Sequence, residues 1–151
     1  MVTAAVTVVA AERIVTRKTR ELAFTATLAP DVVRSNSQLS LSLSVSPNKG
    51  VHVYAPGSAY PPIAIALDDN PALTAGKTTY PQASIYFFKP LNERVPVYGE
   101  PFTLKVNVAV GTIPPGTSTL RVSGVVSYQA CDDRVCFLPQ SVPVMWTLKV
   151  K

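Results

Sequence analysis

The sequence lacks long apolar runs, helical periodicity and a supply of cysteines. No stretch of the 151 residues approaches the roughly 20 consecutive apolar residues that a membrane helix needs, so we expect no membrane-spanning helix in this chain. Charged residues make up only 15% of the chain and hydrophobic residues 47%, with valine, threonine, serine and proline abundant. This composition favours β structure. A chain of this length can bury a core without disulfides, and we predict one domain over residues 1–151.

The net charge of +5 is concentrated in one short basic segment near the N-terminus, formed by Arg13, Arg17, Lys18 and Arg20. Such a cluster can bind nucleic acid or an anionic membrane. No aromatic residues interleave with these side chains, and no nucleic-acid-binding motif accompanies them. We therefore predict that the basic segment is a solvated strand face and that the chain has no nucleic-acid partner.

Alternation of apolar and polar residues predicts roughly nine short strands separated by turn signals. The clearest pattern is in residues 39–45, where leucine or valine alternates with serine. Residues 1–11 lack the basic start of a signal peptide and are predicted to be a first strand. Prolines interrupt residues 72–100, so we expect one or two edge strands there and a long loop over residues 86–98. The other strands are predicted over residues 21–28, 51–54, 63–67, 102–110, 120–128 and 142–150.

The predicted fold is an all-β, antiparallel sandwich of immunoglobulin-like type, because strand patterns follow one another without intervening helices. Trp146 alternates with Val144 and Leu148 and is predicted to lie in the core. The cysteines do not follow the antibody pattern, in which a disulfide joins cysteines far apart in sequence. Cys131 and Cys136 are instead close neighbours, and Trp146 follows both.

The only two cysteines lie in one short segment, residues 128–140, that we interpret as a hairpin. An apolar strand leads to Cys131, four residues intervene, and Pro139 interrupts the chain soon after Cys136. If residues 132–135 form a four-residue hairpin loop, the two cysteines close it as an opposed pair. Opposed Cβ atoms lie roughly 4.5–5.5 Å apart, which is near the separation that a disulfide needs.

A disulfide across so short a ring adds little stability, because the entropy that it removes from the unfolded chain grows with the logarithm of loop length. Exchange with another protein's thiol is therefore the favoured interpretation. The neighbouring charges do not fix the cysteine pKa values, since two aspartates oppose thiolate formation at Cys131 whereas Arg134 favours it. An inert structural disulfide and a pair of reduced core thiols remain alternatives.

A metal site is a third alternative for the cysteine pair. His52, the only histidine, and Met145 would join the two thiolates around a soft metal ion. The spacing between the cysteines differs from the usual zinc-knuckle spacing, and the sequence has no second cysteine pair. We therefore predict no metal ion, and we expect no bound cofactor.

Three segments share their order and spacing with a known family. They are residues 50–54 (Gly-Val-His-Val-Tyr), residues 97–104 (Val-Tyr-Gly-Glu-Pro-Phe-Thr-Leu) and residues 128–139, which hold both cysteines. These segments resemble the N-terminal periplasmic domain of the thiol:disulfide interchange protein DsbD, an immunoglobulin-like domain with an active-site hairpin and a cap loop. The resemblance is strongest over residues 38–148, and the cysteine segment is its most specific part.

The resemblance implies that Cys131 and Cys136 alternate between dithiol and disulfide, with Cys136 forming the mixed disulfide. It also implies that a cap loop lays an aromatic side chain over the disulfide, and Phe88 is our candidate. His52 and Tyr54 stand where the family places aromatic hydroxyls beside the cysteines. Because His52 replaces a tyrosine, the local charge would depend on pH. The remaining predicted site residues are Tyr128 and Pro139.

The resemblance further implies a bacterial periplasmic or other extracytoplasmic location. The expected partners are a thioredoxin-like donor domain or a membrane thiol transporter, and oxidised periplasmic proteins that accept the electrons. We expect a monomeric protein thiol:disulfide oxidoreductase that is either a stand-alone relative or an excised domain. The alternative is a non-enzymatic immunoglobulin-like binding or assembly module whose disulfide only pins a hairpin.

Overall fold

The computed structural model describes residues 15–27 and 32–151, and these residues form β-strands, turns and one short 3-10 turn. The strands are β1 Val15–Lys18, β2 Leu22–Thr27, β3 Val32–Val33, β4 Gln38–Pro47, β5 His52–Tyr54, β6 Ala64–Leu67, β7 Leu73–Thr79, β8 Ser84–Phe88, β9 Glu93–Tyr98, β10 Phe102–Val110, β11 Thr119–Tyr128, β12 Ala130–Cys131 and β13 Gln140–Val150. Within the described residues, no helix has the length and apolar character needed to cross a membrane. The prediction of an all-β protein is confirmed.

The described strands form two main sheets and one small sheet. The first main sheet has the strand order β1-β2-β4-β10-β7, and the second has the order β3-β13-β11-β6. The small sheet has the order β12-β5-β9-β8 and carries the cysteine segment. Neighbouring strands are antiparallel apart from the short β3–β13 pair. The predicted antiparallel, immunoglobulin-like sandwich is confirmed.

Strand β4 shows how the sequence pattern produces a sheet with one buried face. The leucine and valine side chains of residues 39–45 are buried, whereas the serines between them are partly exposed. Trp146 on β13 packs into the same core and is 1% exposed. Its indole N–H donates a 2.9 Å hydrogen bond to the Ser42 carbonyl, which joins the two main sheets. The predicted core position of Trp146 is confirmed.

Residues 72–100 contain more strand than we predicted from the sequence. The stretch 86–98, predicted to be a long loop, belongs mostly to a hairpin in which β8 pairs antiparallel with β9. Pro90 does not prevent this pairing because it lies at the start of the 3-10 turn Lys89–Leu91, where no backbone N–H is needed. We call β8, this turn and β9 the cap hairpin.

The N-terminal predictions fall partly outside the described residues. The strand predicted over residues 1–11 lies outside them, as does Arg13 of the basic segment. Arg17, Lys18 and Arg20 are exposed, as expected for a solvated face. Strand β1, Val15–Lys18, contains Arg17 and Lys18, in agreement with the strand face predicted for the basic segment.

Tyr128, the last residue of β11, anchors the strand that leads into the cysteines. It is 2% exposed, and its ring centroid lies 5.6 Å from that of Phe24. Its hydroxyl donates to the Glu21 carboxylate at 3.3 Å and shares a 2.7 Å hydrogen bond with the Thr19 hydroxyl. Glu21 is only 5% exposed, so Tyr128 supplies a hydrogen bond to a carboxylate that the fold removes from water.

We expect the substitution Tyr128→Phe to lower the free energy of unfolding by about 1–3 kcal/mol, because it takes a donor away from the buried Glu21 carboxylate. Urea denaturation of the oxidised protein measures this change. Ser127→Ala, on the exposed side of the same strand, is the matched control and should change stability by less than about 0.5 kcal/mol. Equal stability of Tyr128→Phe and the wild type would contradict this role for Tyr128.

Candidate active site

Cys131 and Cys136 are joined by a disulfide in a tight hairpin, with their Cα atoms 4.0 Å apart. The two residues form an antiparallel bridge, and the Asp132 N–H donates to the Val135 carbonyl at 2.9 Å. The Asp132 carboxylate accepts the N–H groups of Arg134 and Val135 at 2.8 and 2.7 Å, which fixes the loop in an Asx-type turn. The predicted four-residue loop closed by the two cysteines is confirmed.

The two cysteines differ in exposure. Cys131 is 3% exposed because it lies on β12, which pairs with β5 and places Cys131 opposite His52. Cys136 follows the loop and is exposed. Thiol–disulfide exchange depends on which sulfur the incoming thiolate can reach. Cys136 therefore presents the accessible end of the disulfide.

A tyrosine hydroxyl contacts both ends of the disulfide. Tyr54 Oη lies 3.3 Å from Cys131 Sγ and 3.4 Å from Cys136 Sγ. A disulfide sulfur carries no proton, so the hydroxyl is the donor in both contacts. Burial and, to a smaller extent, the Glu93 carboxylate raise the pKa of Tyr54. The hydroxyl therefore keeps its proton at neutral pH.

His52 lies on β5 and contacts the cap hairpin. It is partly buried, and its ring packs against Tyr86 at a 34° tilt with the centroids 4.5 Å apart. Burial lowers the pKa of His52, and the Asp132 carboxylate only partly opposes this effect. The pKa of Asp132 is itself lowered, first by the N–H donors of Val135 and Arg134. At neutral pH a neutral imidazole therefore lies near an ionised carboxylate.

We call the tight hairpin that contains Cys131 and Cys136 the cysteine hairpin. The cap hairpin and the cysteine hairpin border a cavity of about 190 Å³. Phe88 and Tyr86 of β8 contribute to its lining, together with His52, Tyr54 and both cysteines. Five of the residues predicted for the site thus surround one cavity, although they come from three separate parts of the chain. Phe88 is partly buried and lines the same cavity as the two cysteines.

Tyr60 and Glu93 also line this cavity, and we did not predict either residue from the sequence. Tyr60 stacks on Tyr54 with the ring centroids 4.7 Å apart and the planes 22° apart. Its hydroxyl donates to the Glu93 carboxylate at 2.9 Å, and this hydrogen bond is the main reason that the pKa of Tyr60 is raised. Neither residue has a sequence spacing that points to the cysteines, so only the folded structure reveals them.

Two predicted site residues lie elsewhere. Tyr128 supports the cysteine hairpin from the core, and Pro139 is exposed directly before β13; neither lines the cavity. Met145, considered above as a metal ligand, lies on β13 opposite Ser123 in the second main sheet. In the part of the chain that the structure describes, no group of three or more His, Cys, Asp or Glu side chains is placed to hold a metal ion.

Comparisons with known proteins give one family match and two structural similarities. A family model described as the N-terminal part of the thiol:disulfide interchange protein DsbD matches residues 8–145. The N-terminal periplasmic domain of ScsB from Proteus mirabilis aligns with a TM-score of 0.58 and 13% identity, over 87% of this chain and 46% of that one. The reduced N-terminal domain of Neisseria meningitidis DsbD aligns with a TM-score of 0.48 and 15% identity, over 76% and 85% of the two chains. No curated protein sequence matches this chain.

The similarity to the ScsB domain supports the β-sandwich fold, and the chain spans less than half of the length of that solved domain. The family match rests on sequence, covers nearly the whole chain and includes both cysteines. It confirms the family that the three sequence segments indicated. The chain therefore belongs to the family of N-terminal domains of the thiol:disulfide interchange protein DsbD.

Proposed function

We propose that this chain is an extracytoplasmic thiol:disulfide interchange domain that relays reducing equivalents through Cys131 and Cys136. Membership of the family supports thiol:disulfide interchange in general. The observation that carries the proposal for these two residues is the hairpin disulfide with one buried and one exposed cysteine. The electrons come from a thioredoxin-like domain or a membrane thiol transporter, and oxidised periplasmic proteins receive them.

In the first half of the cycle the domain is reduced. A donor thiolate attacks Cys136 Sγ, a mixed disulfide forms, and Cys131 leaves as a thiolate. The Tyr54 hydroxyl, 3.3 Å from the Cys131 sulfur, stabilises the charge that develops there. The donor's second thiolate then attacks the donor sulfur of the mixed disulfide and releases Cys136. The donor is left oxidised, two electrons have moved, and proton uptake completes the dithiol.

In the second half the domain is oxidised again. The Cys136 thiolate attacks one sulfur of a substrate disulfide, and the other substrate sulfur leaves as a thiolate. Cys131 then attacks Cys136 Sγ, which re-forms the disulfide and releases the first substrate sulfur. The substrate gains two electrons and takes up two protons, so the sulfur atoms carry the electrons without a cofactor.

The cap hairpin is the part of this site that we expect to move when a partner binds. Phe88 lines the cavity next to the disulfide, and among the described strands its strand β8 pairs only with β9, at the edge of the small sheet. An edge strand has fewer neighbours to lose when it moves than a central strand has. In this proposal the cap hairpin borders the disulfide beside the exposed Cys136, and a large partner displaces Phe88 when it docks.

The first test traps the mixed disulfide. Cys131→Ser leaves the exposed Cys136 thiol without its resolving partner, so this variant should accumulate a mixed disulfide with an oxidised thioredoxin-like protein. Cys136→Ser is the matched control, and because Cys131 is 3% exposed it should trap roughly tenfold less. Non-reducing electrophoresis measures the product. The proposal is wrong if Cys131→Ser traps no partner and the reduced wild type transfers no electrons to an oxidised isomerase.

A second test concerns the Tyr54 hydroxyl. Tyr54→Phe removes the donor to the leaving Cys131 thiolate, so reduction of the disulfide should slow by roughly fivefold, the effect of one hydrogen bond of about 1 kcal/mol. The pKa of Cys131 in the reduced protein should rise, which thiolate absorbance against pH detects. Tyr60→Phe is the matched control, since its hydroxyl binds Glu93 and not sulfur. Equal reduction rates in wild type and Tyr54→Phe would contradict this role.

The equilibrium potential of the Cys131–Cys136 couple separates the relay from the non-enzymatic alternative. A relay between thioredoxin-like proteins should have a potential between about −270 and −120 mV. Equilibration with glutathione or dithiothreitol buffers measures it. A value below about −300 mV, with a disulfide that stays unreactive until the protein unfolds, would instead identify a binding module whose disulfide only pins the hairpin.

A further inference from the structure

The cavity beside the disulfide has room for about one amino-acid side chain. Its volume is about 190 Å³, whereas sites for drug-sized ligands and cofactors usually measure roughly 300–1,000 Å³. Both cysteines contribute to its lining. A protein whose cysteine reaches Cys136 therefore brings the residues that flank its own cysteine to the entrance of this cavity.

Two pairs of neighbouring aromatic rings contribute to the walls. Tyr54 stacks on Tyr60 with the centroids 4.7 Å apart, and the His52 ring packs against Tyr86 at a 34° tilt with the centroids 4.5 Å apart. The face of a tyrosine ring attracts cations, and the aliphatic stem of a lysine or arginine packs well on aromatic surface. The walls therefore suit a long side chain that ends in a positive charge.

Glu93 supplies the matching negative charge. Glu93 lines the cavity and is partly buried, and its carboxylate accepts a hydrogen bond from the Tyr60 hydroxyl at 2.9 Å, which holds the carboxylate in place. The same carboxylate contributes to the raised pKa values of both Tyr54 and Tyr60, so it interacts electrostatically with both hydroxyl groups. A cation in the cavity would meet this charge in an environment partly shielded from water.

The other charged groups around the cavity do not neutralise the negative charge of Glu93. Asp132 and Arg134 both line the cavity, lie two residues apart on one loop and offset each other. His52 is neutral at neutral pH because burial lowers its pKa. Arg94 follows Glu93 in sequence, but its guanidinium lies over the exposed ring of Phe87, 5.8 Å from the centroid, and Phe87 does not line the cavity.

We propose that this cavity receives a lysine or arginine side chain that the partner protein carries next to its reactive cysteine, with Glu93 as the specificity-determining residue. The inference rests on the proposed function, since it assigns a recognition feature to the partner in that exchange. It predicts that a basic neighbour of the attacking cysteine speeds reduction of the Cys131–Cys136 disulfide.

The test compares two short peptides that each contain one cysteine followed by either lysine or norleucine, which has the same hydrocarbon stem without the ammonium group. Each peptide reduces the wild-type disulfide at low ionic strength, and its rate is divided by its rate with glutathione disulfide to correct for thiol reactivity. The corrected rate should be roughly fivefold higher for the lysine peptide. The advantage should shrink as salt is added, because salt screens the pairing with Glu93.

Glu93→Gln removes the charge while keeping an acceptor for the Tyr60 hydroxyl. In this variant the ratio of the corrected rate of the lysine peptide to that of the norleucine peptide should fall to about one. Asp69→Asn removes the same charge from an exposed turn outside the cavity and should keep the wild-type ratio. A wild-type ratio near one, or an unchanged ratio in Glu93→Gln, would overturn the inference while leaving the relay intact. If neither peptide reduces the folded protein, the proposed function itself fails.

Discussion

The antiparallel pairing of β12 with β5 is the constraint on which the rest of the site depends. It places Cys131 opposite His52 and Ala130 opposite Val53, so one end of the disulfide is held inside the small sheet. The four-residue loop then returns the chain to an exposed Cys136. A single backbone pairing thereby gives the two cysteines unequal access to solvent, and access is one of the factors that decide which sulfur an incoming thiolate attacks.

The same strand β5 carries the hydrogen-bond donor to the disulfide. Tyr54 is two residues beyond His52 on β5, and β9 pairs with β5 on the side opposite β12. This strand order brings Glu93 and the cap hairpin to the disulfide from the other edge. The site is therefore built across the whole width of the small sheet, and its cavity lies where the cap hairpin and the cysteine hairpin approach each other.

Tyr128 connects the cysteine hairpin to the sandwich core. This residue connects β11 to the first main sheet by its contacts with Phe24, Thr19 and Glu21. A rigid base of this kind restrains Cys131, whereas Cys136 and the edge strand β8 are less restrained. The division suits a site in which one cysteine stays in position while the other changes partners.

Features that depend on neighbouring residues could be predicted from the sequence. The alternation in residues 39–45 predicted a half-buried strand, and the short spacing of Cys131 and Cys136 predicted a closed hairpin, because side-chain period and loop length are local properties. The folded structure was needed to show which cysteine is buried, that residues 86–98 belong mostly to a hairpin, and that Tyr60 and Glu93 reach the site. These features depend on contacts between distant parts of the chain, as between Tyr54 and Cys131, which are 77 residues apart, and no local pattern encodes them.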